Sequence, residues 1–284
     1  MNLISIQSHV AYGHVGNSVA VFALQRLGCE VWPVHTVQFS NHTGYGTWKG
    51  EVFAAARIGE VIDGIADLGV LRACDGVLSG YIGAVETGEA IVAAVGKVKA
   101  ASPHASYCCD PVIGNRARGE FVRPGIAQFM RERALPAAAV VTPNHFELDR
   151  LVERETRDLA AIIEAVDDIH ARGPRAVLVT SVRSDATPAG SLDVIASDGS
   201  NRYLVRTPLL ATPANGAGDL IAALFFFHYL RCGAVADALA AATSSVFGLL
   251  RRTRDAGASE TILIAAQDEL MAPSETFAPV RIGL

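Results

Sequence analysis

Along this chain, short apolar runs alternate with segments whose apolar residues recur at helical spacing. Leu3-Ile4-Ser5-Ile6 is the first run, and after a glycine-containing loop Asn17 to Leu27 carries the helical repeat until Gly28 ends it. Cys29-Glu30-Val31-Trp32-Pro33-Val34 reads as the next strand. The alternation continues with a helix from Val52 to Leu68, a strand at Gly76-Val77-Leu78, a helix from Glu86 to Ala100 and a strand from Ala105 to Cys109. It goes on with a helix from Pro124 to Leu135, a strand from Ala138 to Val141, a helix from Leu159 to Ala171 and a strand from Arg175 to Val179. Strands separated by helices are joined by crossovers, which predicts an α/β fold with a mostly parallel central sheet and helices on both faces.

After Ser191 the pattern changes. Leu192-Asp193-Val194-Ile195 and Tyr203-Leu204-Val205 alternate in hydrophobicity around Asp198-Gly199-Ser200-Asn201, a hairpin signal that adds an antiparallel edge to the sheet. A helix to about Arg231 follows, with Gly233 past its end, then a second from Val235 to about Arg252. A poorly patterned tail with Pro273 and Pro279 closes the chain. No repeat or low-complexity linker divides the sequence, so residues 1–284 are read as a single domain.

Composition narrows the class. A chain of 284 residues that is 50% hydrophobic can bury one large core. Its longest uninterrupted apolar run, Leu220 to Phe227, stops at His228, well short of the ~18 residues of a membrane span, and no basic n-region precedes an apolar stretch at the start. No membrane association is expected. A net charge of −5 argues against nucleic acid as a partner. The five cysteines form no C-x-x-C pair and read as buried small hydrophobes of a reducing, cytoplasmic compartment, with Cys108 and Cys109 pointing to opposite faces of a strand. The eight histidines show no zinc spacing, so no structural metal is expected. Arg251, Arg252 and Arg254 read as a solvated helix end.

Candidate chemistry centres on Asn215-Gly216-Ala217-Gly218-Asp219, which runs straight into the apolar helix beginning Leu220-Ile221. Two glycines permit a tight turn, and the helix they open aims free N–H groups and a positive dipole end forward, so Gly216, Ala217 and Gly218 are the expected anion hole. Asp219, at the same helix start, can take a proton from a hydroxyl while those N–H groups hold a phosphoryl group, and its position favours the ionised form. The structural alternative is an ordinary turn in which Asp219 only complements the dipole.

Other polar residues fall where ligands bind in open α/β sheets. Ser8, Ser79-Gly80-Tyr81, Asp110-Pro111, Thr142-Pro143-Asn144 and Thr180 all lie at carboxyl ends of predicted parallel strands. Asp110 and Glu147 are the pair of carboxylates suited to hold Mg²⁺ near nucleotide phosphates. Equally open is a turn initiator before proline for Asp110, and for Glu147 a first-turn residue of a short helix capped by Asn144. Gln38 to Gly46 reads as a long polar loop able to wrap a small planar ligand, with His42 within it. Ile113 to Gly119 reads as a mobile flap whose Arg116 or Arg118 could meet phosphate. The chain has no G-x-x-x-x-G-K-[ST], no G-x-G-x-x-G after its first strand and no G-x-S-x-G.

Several of these stretches together resemble a known family. Gln7-Ser8-His9-Val10, Tyr12-Gly13-His14, Gly16-Asn17, Thr36 to Thr43, Leu78-Ser79-Gly80-Tyr81, Cys109-Asp110-Pro111-Val112 and the G-x-G-D of Gly216 to Asp219 resemble the pyridoxal kinases of the ribokinase-like superfamily. The resemblance implies a ribokinase-like fold and ATP-dependent phosphorylation of the 5′-hydroxymethyl group of pyridoxal, with Mg²⁺ and in a homodimer. It implies that Ser8, Thr43 and Gly44 contact the pyridine substrate and that Tyr81 lines its pocket. Asp110, Thr142, Glu147 and Thr180 would lie on the ATP and metal side, Thr207-Pro208-Leu209-Leu210 would flank the nucleotide, and Asp219 would be the base. Thr180 stands where several relatives carry lysine, and the connection from Pro208 to Gly216 looks shorter than in some of them. The alternatives are a hydroxymethylpyrimidine or sugar kinase of the same superfamily, expected to differ in Ser40 to Gly46, and a non-catalytic B6 carrier, which would have no use for three acidic groups.

Overall fold

The strand signals assemble into one ten-stranded sheet in the computed structural model, which describes residues 1–212 and 215–283. In chain order come β1 (Asn2–Tyr12), α1 (Asn17–Arg26), β2 (Glu30–Asn41), β3 (Gly50–Val52), α2 (Ala55–Asp67), β4 (Gly76–Ser79), α3 (Val85–Ala101) and β5 (Ser106–Cys109). A small hairpin, β6 (Gly114–Asn115) with β7 (Gly119–Glu120), leads to α4 (Ile126–Phe129), a π-helical turn (Met130–Ala134) and α5 (Leu135–Ala137). Then follow β8 (Val140–Val141), α6 (His145–Val152), α7 (Leu159–His170), β9 (Ala176–Val182), β10 (Ser191–Ser197) and β11 (Arg202–Pro208). The chain ends in α8 (Ala217–Cys232), α9 (Val235–Asp255), α10 (Asp268–Met271) and β12 (Val280–Ile282).

Side by side the strands run β12-β11-β10-β9-β8-β5-β4-β1-β2-β3. From β9 to β2 every neighbouring pair is parallel, as helix-linked strands require. The expected hairpin of β10 and β11 adds antiparallel strands beside β9, and the C-terminal tail contributes β12 outside it. Three residues are too few to show a period of two, which is why the tail carries no strand signal in the sequence.

Alternation along the strands builds two cores. Tyr107, Cys109, Val141, Val177 and Val179 face α2, α3, α6 and α7, while Cys108, Val140, Ala176 and Leu178 face α1, α8 and α9. Adjacent cysteines therefore belong to opposite cores, as the strand geometry demands. Cys232, expected to be buried, is exposed at the C-terminal end of α8. Local signals set the helix ends: Gly233 caps α8 in the left-handed conformation with φ 69°. Arg251, Arg252 and Arg254 pair with Glu275, Asp268 and Asp255 at the end of α9, and the first two hold down the C-terminal segment. Among the described residues, no helix is long and apolar enough to cross a membrane.

One region departs from the sequence reading. The supposed loop Gln38 to Gly46 is strand as far as Asn41, turns through a 3₁₀ segment at Thr43–Tyr45 and returns as β3. β1 and β2 stay paired out to Tyr12 and Asn41, beyond the last β1–β4 pair at Ile6 and Ser79. Val10, Val15, Val37 and Phe39 give this projecting arm a small core of its own, so alternating residues that looked like loop are strand. Ser8, placed by the sequence reading at a strand end, lies inside β1 but just past the edge of the β4 ladder.

Candidate active site

A cleft of about 550 Å³ opens along the carboxyl ends of the parallel strands, between the arm, the β6–β7 hairpin and the start of α8. At that start the chain turns at Gly216, whose φ of 81° suits glycine alone, and a Cβ there would lie 1.8 Å from the carbonyl oxygen of His14. The loop between β1 and α1 is thus pressed against the first turn of α8. Among the described residues no side chain caps that turn, and Gly216, Ala217 and Gly218 all line the cleft, which leaves the helix-terminal N–H groups at its wall. The two glycines act differently from expectation: Gly216 alone makes the turn, whereas Gly218 is ordinary helix whose missing side chain keeps the cleft open.

Asp219 completes this corner. Its Oδ2 accepts a hydrogen bond of 2.9 Å from the backbone N–H of Gly16, a contact across 203 positions of sequence that no local signal announces. The carboxyl keeps some surface toward the cleft and is otherwise enclosed by protein. Burial pushes its pKa above the ordinary carboxylate value, against the N–H groups of Gly16 and of Asp219 itself. Burial therefore opposes the ionised form that the helix N-terminus favours.

Two further carboxyls stand on the same wall. Asp110 follows β5, is buried, and accepts 2.9 Å from the hydroxyl of Thr142. Burial, then the charges of Glu147 and Asp219, raise its pKa well above the usual range. Glu147 is held by the backbone: Oε1 accepts from the N–H of Ile113 at 2.9 Å and Gly114 at 3.3 Å, and Oε2 from that of Asn144 at 2.8 Å. Asn144 reciprocates by accepting the Glu147 N–H at 3.0 Å, a complete capping box. The capped-helix reading of Glu147 therefore holds while the residue also lines the cleft. Burial lifts its pKa to about 7 against those three N–H donors, with Asp219 adding to the rise. Among the described residues no three His, Cys, Asp or Glu side chains converge as a protein-only metal site.

On the other side of the cleft, Ser8, Thr43 and Tyr81 line the wall and Gly44 does not. Gly44 is exposed in the 3₁₀ turn, where its N–H donates to His42 Nδ1 at 3.1 Å. The ring it supports does face the cleft, and with Nδ1 accepting, the proton of neutral His42 sits on Nε2. Burial, followed by the nearby Arg118 guanidinium, lowers the His42 pKa. Arg118 lines the cleft with its guanidinium 5.0 Å above the Phe121 ring, whereas Arg116 lies outside.

Thr142, Thr180, Thr207, Pro208, Leu209 and Leu210 all line the remaining stretch. Of the connection from Pro208 to Gly216, Pro213 and Ala214 lie outside the described residues. The apolar wall opposite was missed by sequence reasoning: Leu192 and Val194 of β10 and Val246, Phe247 and Leu250 of α9. These are ordinary core-type residues at ordinary periodicity, and only the fold brings them to the cleft. Ser181, next to Thr180, adopts φ 55°, a conformation uncommon outside glycine.

Known proteins share this architecture and sequence. Residues 74–263 match the family model described as phosphomethylpyrimidine kinase. Pyridoxal kinase PdxY of Granulibacter bethesdensis is 54% identical over 281 residues, covering 98% of both chains. That of Deinococcus radiodurans is 51% identical over 288 residues, covering 99% of this chain and 96% of the other. Pyridoxal kinase from Leishmania donovani, solved in complex with ADP and pyridoxamine, superposes with a TM-score of 0.91 at 29% identity, covering 99% of each chain.

Proposed function

Since this chain belongs to the pyridoxal kinase family, we propose that it transfers the γ-phosphoryl group of ATP to the 5′-hydroxymethyl oxygen of pyridoxal. The observation that carries the reading is the corner where Asp219, oriented by the Gly16 N–H, stands beside the uncapped N–H groups of α8. There Asp219 takes the hydroxyl proton as the oxygen forms its bond to the γ-phosphorus and the bond to the ADP oxygen breaks. The proton ends on the carboxyl. A base whose pKa has been raised by burial holds that proton better than a solvent-exposed aspartate would. The N–H groups of Gly216, Ala217 and Gly218 stabilise negative charge on the phosphoryl oxygens throughout.

Ser8, Thr43 and Tyr81 bind and orient the pyridine ring. Thr142, Thr180 and Thr207 to Leu210 receive the nucleotide, whose adenine meets the apolar wall of β10 and α9. Asp110 and Glu147 fit a Mg²⁺ ion, because neighbouring carboxyls whose pKa values are raised by burial and shared charge are stabilised by a cation. When bound, that ion neutralises phosphate charge. Among the described residues no protein-only ligand set converges, and two carboxyls can reach the ion partly through water. We further propose one kinase domain over residues 1–284, acting as a homodimer in the cytoplasm.

A second reading, phosphorylation of hydroxymethylpyrimidine, draws on the description of the matching family model. ADP release measured with pyridoxal, pyridoxine, pyridoxamine, hydroxymethylpyrimidine and ribose separates the two. Turnover fastest with pyridoxal is the expected result, and faster turnover of the pyrimidine would replace the first reading with the second.

A further inference from the structure

The segment between α9 and α10 touches both halves of the cleft without lining it. On one side the buried Thr261 donates its hydroxyl to the carbonyl oxygen of Asn215 at 3.1 Å, immediately before the Gly216 turn. On the other, Glu260 Oε1 accepts from the Tyr45 hydroxyl at 2.5 Å, two positions beyond Thr43. The two contacts come from adjacent residues, so the acceptor-side turn and the phosphate-side turn hang on one short piece of backbone.

That piece is itself well anchored. The N–H of Ala258 bonds to the Thr253 carbonyl and that of Ile262 to the Thr253 hydroxyl, both at 3.2 Å, and Thr253 is buried in α9. Gly13, just past the end of β1, leaves room for the Glu260 carboxylate: a Cβ there would lie 2.7 Å from Oε2. Oε2 is buried without a hydrogen-bond partner among the described residues, a costly arrangement for a side chain with no task beyond solvation. Tyr12 packs edge-on against Tyr45 with ring centroids 6.3 Å apart, closing the contact from the arm side.

We propose that Ser259-Glu260-Thr261 is a positioning strap that sets the distance between acceptor and donor, Glu260 acting on the substrate through Tyr45 and Thr261 acting on the nucleotide through Asn215. The proposal rests on the phosphoryl-transfer reading above. A strap of this kind separates the two Michaelis constants. Losing the Glu260 contact lets the Thr43 turn drift and weakens pyridoxal, whereas losing the Thr261 contact loosens the anion corner and weakens ATP.

The test compares Glu260→Met, Tyr45→Phe, Thr261→Val and the double variant Glu260→Met/Thr261→Val by steady-state kinetics, with thermal melts of each. Loss of one hydrogen bond corresponds to about threefold to tenfold in the affected constant. Glu260→Met and Tyr45→Phe are expected to raise KM for pyridoxal by that amount and leave KM for ATP unchanged, and Thr261→Val to do the reverse. In the double variant kcat is expected to fall by more than the product of the single effects, because donor and acceptor then drift independently. Both constants rising together in every variant in step with a lowered Tm, or neither constant moving, overturns the strap. Wild-type enzyme that fails to phosphorylate pyridoxal overturns the functional reading and the strap with it, while an active wild type with unsplit variants overturns the strap alone.

Discussion

The two walls of the cleft are built on different principles. The phosphate wall is buried and held by backbone: Glu147 has three N–H donors, Asp219 has Gly16, and Gly216 is locked against His14. The acceptor wall is a projecting arm whose Thr43 turn is exposed and held by side-chain contacts such as Tyr45 with Glu260. Charge stabilisation needs fixed dipoles that do not reorganise during the reaction, and backbone N–H groups in a packed core meet that need. A small ring must enter and leave, which suits a turn with fewer buried contacts. Changes on the phosphate wall should therefore act on the chemical step, and changes on the acceptor wall on substrate binding.

The largest expected effect tests the phosphate wall directly. Asp219→Asn preserves size and the helix start but removes the proton acceptor, so kcat should fall by about 10²–10⁴ while pyridoxal and ATP still bind. Near wild-type turnover at saturating pyridoxal would reduce Asp219 to a dipole partner.

Next in size is the cost of crowding buried carboxyls. The folded pKa of Glu147 is raised from 4.5 to about 7, and that of Asp110 is also raised, so both favour the protonated form in the folded state. For Glu147 the resulting stability is complete below 4.5, its unfolded value, and is lost as pH rises through about 7. Tm of the ligand-free protein should fall across that interval, and Mg²⁺ with ADP should restore much of the loss at neutral pH. A Tm that is flat with pH, or unmoved by Mg²⁺ and ADP, would separate these carboxyls from the cation.

A smaller effect is expected from Gly216→Ala, which combines a left-handed backbone with a collision against His14. Strain of this kind costs about 1–3 kcal/mol, and relief by moving the turn should lower kcat and ATP affinity together, read by kinetics and nucleotide titration. Wild-type kinetics in this variant would show that the corner is less rigid than its geometry indicates. Smallest is Thr43→Val on the exposed turn, where loss of one hydrogen bond of about 1 kcal/mol should raise KM for pyridoxal roughly fivefold with ATP untouched. A change in kcat alone would break the division between the walls.

Local interactions account for what the sequence determined by itself. Strand and helix alternation dictated a parallel sheet, Gly233 stopped α8, and Asn144 with Glu147 specified a capping box within four consecutive residues. The helix start at Gly216 was legible as well, and a helix N-terminus carries its N–H groups wherever it is placed. Tertiary structure decided the rest. It extended β2 through Asn41, since pairing with β1 and the small core around Val37 and Phe39 override the polar appearance of Gln38 to Asn41. It turned Gly44 away from the cleft and Arg118 toward it, and brought α9 across to form an apolar wall from residues indistinguishable in sequence from core. It also set the proton affinity of Asp219. The helix N-terminus that favours ionisation is written in consecutive residues, but the burial that opposes it, and the Gly16 N–H that offsets part of that burial from 203 positions away, come from distant parts of the chain.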